Sequence, residues 1–283
     1  MEYKHIIYQP GKVARIMLNR PRYYNAQSTI MREEMDIAFA EASKDDGVGC
    51  VVLSGNGNHF SAGHDISTKE EEADRTSRGI LLQDKYHRYD YTRATCMENS
   101  LRWRNVPKPT IAMVHGYCIF GGWIFAGAMD LIFASEDAMF LPSHTQYFTV
   151  PWDIGYRRAK EILFEHRFMT AWEALDYGMV NRVYPDRATL EKETLAYAER
   201  VADNWLADPI RIRTAKFSIN HMMDQMGYTA ELEVAYQSYI IGTEVRDTPR
   251  PRDDKGGIAN AGMATKYLEL DKPWLERMLR RGR

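Results

Sequence analysis

Apolar and polar positions alternate in short blocks over the first third of the chain. "HIIYQP" and "VARIMLN" are strand-like runs separated by "GK", a turn signal, and they predict paired strands. The polar loop "RPRYYNAQS" leads into "TIMREEMDIAFAEASKD", where Ile30, Met31, Met35, Ile37 and Phe39 recur near helical spacing. Ser28 stands where a hydroxyl can cap that helix. "VGCVVLSGNG" is a continuous β-branched run, short enough for a fully buried strand. Strand, helix, strand in this order implies a right-handed crossover and a parallel pair.

Residues 67 to 104 are polar, charged and compatible with helix. "TIAMVHGYC" then predicts a strand ending in glycine, "GGWIFAGAM" a helix, and "DLIFASEDAMFL" one further strand. From Tyr156 onward the pattern is mostly helical, in amphipathic pieces such as "AWEALDYGM" and "TLEKETLAYAERVADNW". "RDTPRPRDDKGGIANAG" reads as an exposed loop, followed by a last helix, "DKPWLERMLRRGR", with a basic end. The class is α/β, with a core over residues 1–200 and a helical region over 201–283. No internal repeat interrupts it.

Composition narrows the class further. With 45% apolar and 27% charged residues, the 283-residue chain reads as an ordinary globular protein. A net charge of -2 provides no whole-protein field to attract nucleic acid. Cys50, Cys96 and Cys118 are an odd count without metal-ligand spacing, so neither a disulfide framework nor a metal site is expected. The longest apolar stretch, "GYCIFGGWIFAGAMDLIFA", carries four glycines and Asp130, which argues against a membrane span. The opening residues lack a signal-peptide core, and the expectation is a cytoplasmic protein.

Candidate chemistry lies at two glycine turns, "HFSAGHDIS" (residues 59–67) and "HGYCIFGGWIF" (residues 115–125). Both sit where a strand gives way to a helix, so backbone N–H groups can point into a shared crevice and hold an oxyanion. Glycine placement by itself favours the plainer reading, that these glycines serve only tight turns and close helix packing. Pattern alone leaves both readings open.

Five segments in order, "ARIMLNRPRYYNA", "VVLSGNGNHFSAGHDI", "PKPTIAMVHGYCIFGGW", "DLIFASEDAMF" and "EHRFMTAWEALDYGMVNRVYP", resemble the crotonase superfamily, the enoyl-CoA hydratase/isomerase family. The resemblance implies a crotonase β-β-α spiral core with a helical C-terminal trimerisation region, in trimers or hexamers that are dimers of trimers. It implies an acyl-CoA thioester substrate, with coenzyme A arriving as part of it and no permanent cofactor or metal. By the same resemblance the backbone N–H groups of His64 and Gly121 hold the thioester oxygen. Coenzyme A contacts fall on Arg20, Arg22, Ala62, Asp65 and Ile66. The acyl pocket falls on Tyr86, His87, Trp123 and Ile124, within and beside the polar-aromatic stretch "DKYHRYDY".

The chain departs from the family at the acid/base positions. Hydratases there use two glutamates, and the matching positions are Ile124 and His144. Isoleucine moves no proton, so hydration by paired carboxylates has lost its machinery. His144 and Asp153 reproduce the nine-residue spacing of a histidine–aspartate pair in crotonase-like β-diketone hydrolases, and "PWDIGY" is similar to "SFDGGY" of naphthoate synthases. His144 and Asp153 are therefore the expected catalytic pair, with Asp153 orienting the imidazole. Three outcomes follow from the resemblance: an acyl-CoA enzyme of altered acid/base chemistry, a retro-Claisen hydrolase or thioesterase, or a CoA-binding scaffold without catalysis.

Overall fold

β1 (Ile6–Gln9) and β2 (Val13–Leu18) form the antiparallel pair that the first two apolar runs predict, with Ile6 opposite Leu18. α1 (Thr29–Lys44) follows, and the Ser28 hydroxyl accepts from Met31 N, as its N-cap position requires. The chain then crosses to β3 (Cys50–Gly55), parallel to β2, with all six residues buried. The computed structural model describes residues 2–66, 68–80, 85–144 and 146–244. The expected Pro/Gly-rich loop and last basic helix therefore lie outside the described residues, as does the side chain of Tyr86.

The polar region after β3 is helical: α2 (Lys69–Ser77), α3 (Lys85–Thr92), a π-helical turn (Arg93–Glu98) and α4 (Asn99–Arg104). Two expected single strands each divide. "TIAMVHGYC" becomes β4 (Thr110–Val114) and β5 (Tyr117–Ile119), broken at Gly116, whose φ of +55° turns the chain out of the first sheet. After α5 (Gly121–Gly127), "DLIFASEDAMFL" becomes β6 (Leu131–Ser135) and β7 (Met139–Leu141). The charged pair Glu136–Asp137 forms the second turn and was a readable signal for it, whereas the sheet to which each half belongs was not readable from hydrophobic pattern.

Next come α6 (Val150–Ile154), α7 (Tyr156–Glu165), β8 (Met169–Thr170), α8 (Ala171–Asp176) and β9 (Arg182–Tyr184). The six-stranded sheet runs β1-β2-β3-β4-β6-β9, parallel except for β1, and a small second sheet runs β5-β7-β8. Strand alternation divides the core between two faces. Val51, Leu53, Ala112 and Val114 face α1 and its Met31, Met35 and Phe39. Cys50, Val52, Ile111 and Met113 face Leu190, Ala198 and Ala202 of α9 (Arg187–Ala207). The passage from core to helical region expected at residue 200 thus falls inside α9.

α10 (Pro209–Gln225) and α11 (Tyr228–Glu244) complete the described fold. They leave Ile210, Ile219, Met222, Met226, Val234 and Ile241 exposed. No helix among the described residues is long and apolar enough to cross a membrane.

Candidate active site

The two glycine turns meet because backbone hydrogen bonds fasten residues 61–65 on both sides. On one side Ser61 N donates to Tyr117 O at 2.9 Å and Ile119 N donates to Ser61 O at 3.0 Å. On the other, Gln27 N donates to Gly63 O at 2.8 Å and Asp65 N donates to Gln27 O at 3.0 Å. The turn at Gly63 (φ +89°) consequently abuts the start of α5. A Cβ on Gly63 would stand 3.1 Å from Gly121 N and 2.7 Å from Ile119 O. A Cβ on Gly121 would stand 3.1 Å from His64 N and 2.6 Å from Gln27 Oε1. Hydrogen alone fits at both positions, which ties these glycines to the approach of the two amides.

Among the described residues, neither His64 N nor Gly121 N donates to a carbonyl. A backbone amide with no acceptor in the fold is available to donate to a bound anion or carbonyl oxygen. Phe120, just before Gly121, holds φ +48° and ψ -103°, a conformation that costs a non-glycine residue about 1–3 kcal/mol. Its own N–H is fixed to Leu141 O at 2.8 Å, so the strain aims the following amide rather than relaxing. The expected donor pair, His64 and Gly121, is brought together.

The His64 ring anchors this turn. Nδ1 lies 3.2 Å from Arg32 Nη1 and Nε2 lies 3.1 Å from Gln146 Oε1. Burial and the neighbouring Arg32 charge push its pKa down to about 4. The ring is therefore neutral near pH 7, with Nδ1 accepting from Arg32 and Nε2–H donating to the Gln146 carbonyl. Neither Arg32 nor Gln146 stood out in the sequence, since the contacts span 32 and 82 positions.

The acid/base residues depart from expectation. Asp153 Oδ2 accepts from Trp123 Nε1 at 2.6 Å and from Thr149 Oγ1 at 2.5 Å. Its Oδ1 has no hydrogen-bond donor among the described residues. Burial pushes the carboxyl up to about 6, against the two hydrogen bonds. His144 is an exposed residue that sets its ring edge-on to Phe148, with centroids 4.8 Å apart. It forms no ion pair with Asp153, so the orienting contact expected between them is not made. The reason is local: α6 begins at Val150, and its first turn points Asp153 back at Trp123 and Thr149. Thr149 was missed, although a hydroxyl four residues before an aspartate on a helix is a readable signal.

Trp123 and Ile124, the expected acyl-pocket residues of this helix, are both buried in the first turn of α5, which begins at Gly121. His87 is exposed on α3. The coenzyme A expectations separate. Arg20 is buried and committed, with Nη1 to Asp65 at 2.8 Å and to Ala26 O at 2.7 Å, and Nη2 to Glu70 at 3.0 Å. Burial would raise the Asp65 pKa, yet hydrogen bonds from Thr68 and the Arg20 guanidinium hold it low. Arg20 and Asp65 thus clamp the donor loop rather than face solvent as ligand contacts. Arg22 is exposed, its guanidinium 5.5 Å from the Tyr23 ring. Ala62 is half-buried and Ile66 exposed on the same rim. All three cysteines are free and buried, and burial pushes the Cys50 thiol up to about 12.

A model of the enoyl-CoA hydratase/isomerase family matches residues 9–247. A Mycobacterium tuberculosis protein provisionally named an enoyl-CoA hydratase is 33% identical over 262 residues, covering 83% of this chain and 80% of that one. The mitochondrial Delta(3,5)-Delta(2,4)-dienoyl-CoA isomerase of Rattus norvegicus is 30% identical over 228 residues, or 75% of this chain and 67% of its own. Among solved structures, a probable enoyl-CoA hydratase from Mycobacterium thermoresistibile is 38% identical. It superposes with a TM-score of 0.75 over 85% of this chain and 97% of its own.

Proposed function

We propose, for a chain that belongs to the enoyl-CoA hydratase/isomerase family, an enzyme that moves a double bond within an acyl-CoA thioester. The observation that carries this reading is the pair of unengaged amides, His64 N and Gly121 N, together with the Asp153 carboxyl, whose pKa is about 6 and which is held by Trp123 of the same helix that Gly121 begins.

Hydration requires a base to activate water and an acid to protonate carbon. Ile124 and the exposed His144 occupy the two places where the family's hydratases carry glutamates, which leaves hydration without its pair. A double-bond shift needs a single group. Asp153 Oδ1 removes a proton from the carbon next to the thioester carbonyl or from its vinylogous position. The electron pair moves to the thioester oxygen, held by His64 N–H and Gly121 N–H. Asp153 then returns the proton to a different carbon, and no atom is gained or lost. A carboxyl poised near 6 suits both halves of that exchange.

The likeness to a dienoyl-CoA isomerase supports the same reaction class. Retro-Claisen hydrolysis rested on a His144–Asp153 contact that is not formed, so it is not the favoured reading. The apolar residues exposed on α10 and α11 support a homo-oligomer, a trimer or a dimer of trimers, which sedimentation would identify.

The test is incubation with 3-enoyl-CoA and 2-enoyl-CoA, with products separated by chromatography. Interconversion of the two, lost in Asp153→Asn, is expected. Formation of 3-hydroxyacyl-CoA as the main product would defeat the isomerase reading.

A further inference from the structure

Gln27 has no place in the chemistry above, yet its side chain is the least explained polar group near the site. The residue is 0% exposed, and both Oε1 and Nε2 are buried without a hydrogen-bond partner. Such a group is costly to keep, because an apolar side chain of similar size would avoid the unmet hydrogen bonds. It also has no freedom to leave. Its N–H and C=O are fastened to Gly63 O and Asp65 N, and Arg32 Nη1 lies 3.4 Å from the same carbonyl.

The amide is aimed at the donor pair. The point 2.6 Å from Gln27 Oε1 that a Cβ on Gly121 would take is also 3.1 Å from His64 N. It is the carbonyl end, Oε1, that lies on the side of Gly121 and His64 N. The two ends of a primary amide have nearly the same shape, so a half-turn about the last side-chain bond replaces Oε1 with Nε2–H.

Resting on the acyl-CoA reading above, we propose that Gln27 is a third hydrogen-bond donor of the oxyanion hole, its Nε2–H joining His64 N–H and Gly121 N–H on the thioester oxygen. Negative charge grows on that oxygen as the proton leaves carbon, so the third bond strengthens in the transition state. Gln27 is then a catalytic residue, and its loss falls on kcat rather than on KM.

The experiment compares wild type with Gln27→Leu and Gln27→Met, two apolar side chains of similar volume. Three readouts are taken: isomerisation kinetics with 3-enoyl-CoA, binding and near-ultraviolet enolate absorbance of acetoacetyl-CoA, and the thermal midpoint. Expected is a fall in kcat of roughly 10²-fold with KM little changed, and a smaller enolate fraction of bound acetoacetyl-CoA. The thermal midpoint is expected to hold or rise, because an unpaired buried amide has been removed. Unchanged kcat and an unchanged enolate fraction in both variants would overturn the assignment while leaving the acyl-CoA reading intact. Wild-type protein that neither turns over 3-enoyl-CoA nor binds acetoacetyl-CoA would overturn both.

Discussion

Replacing Asp153 by asparagine separates the stability of the site from its chemistry. Because Oδ2 alone takes the hydrogen bonds from Trp123 and Thr149, the asparagine carbonyl can take its place, and the NH2 falls where Oδ1 has no donor. The substitution therefore keeps shape and contacts while removing the charge. Burial raises the carboxyl from an ordinary 3.8 to about 6. Between these values the folded state binds more protons than the unfolded state, so stability falls as pH rises. The cost of ionising Asp153 in the fold amounts to about 3 kcal/mol above pH 7 and to less than about 1 kcal/mol at pH 4. Urea unfolding of both proteins at pH 4 and pH 8, at one fixed protein concentration, reads the difference. Asp153→Asn should gain about 2 kcal/mol over wild type between the two pH values. Its turnover should meanwhile fall roughly 10²–10⁴-fold. A stability difference that does not change with pH would refute the buried, ionisable carboxyl. A pH-dependent gain without loss of turnover would refute its catalytic role alone.

Further outcomes follow from the same contacts. Trp123→Phe removes a donor to the Asp153 carboxylate, so its pKa should rise above about 6 and the acidic limb of the kcat/KM profile should move upward. Gly121→Ala places a methyl 3.1 Å from the backbone His64 N and should lower kcat/KM at least about 10²-fold with the fold retained by circular dichroism. Arg20→Met removes the guanidinium from the buried Asp65 carboxylate, which keeps its Thr68 hydrogen bonds, and should cost about 3 kcal/mol in urea unfolding. Because the pairing holds the Asp65 pKa low, that loss should lessen as pH falls through the carboxylate range and Asp65 becomes protonated in the variant.

Much of this arrangement is readable in the chain because it depends on local pattern. The α1 cap at Ser28, the buried β3 run and the crossover between β2 and β3 follow from periodicity and turn chemistry. The two glycine turns mark where the His64 and Gly121 amides meet, because glycine is the residue that lets backbones approach at Gly63 and Gly121. What stayed hidden depends on tertiary placement. The break at Gly116 and the turn at Glu136–Asp137 divide runs whose apolar halves go to two different sheets. The committed state of Arg20 rests on Asp65 and Glu70, 45 and 50 positions away. The direction of Asp153 is set by the start of α6, and nine-residue spacing to His144 carries no such direction. Gln27 lies in a polar loop where only burial makes an unpaired amide conspicuous.

The central claim is that one carboxyl and two backbone amides shift a double bond without adding water. The most direct measurement follows 3-enoyl-CoA in deuterium oxide by mass spectrometry and chromatography, for wild type and Asp153→Asn. The expected result is 2-enoyl-CoA from the wild-type enzyme, with deuterium only to the extent that the Asp153 carboxyl exchanges with solvent before it returns the proton, little or no 3-hydroxyacyl-CoA, and no conversion above background in the variant. Hydration as the main reaction, or undiminished isomerisation by Asp153→Asn, would contradict it.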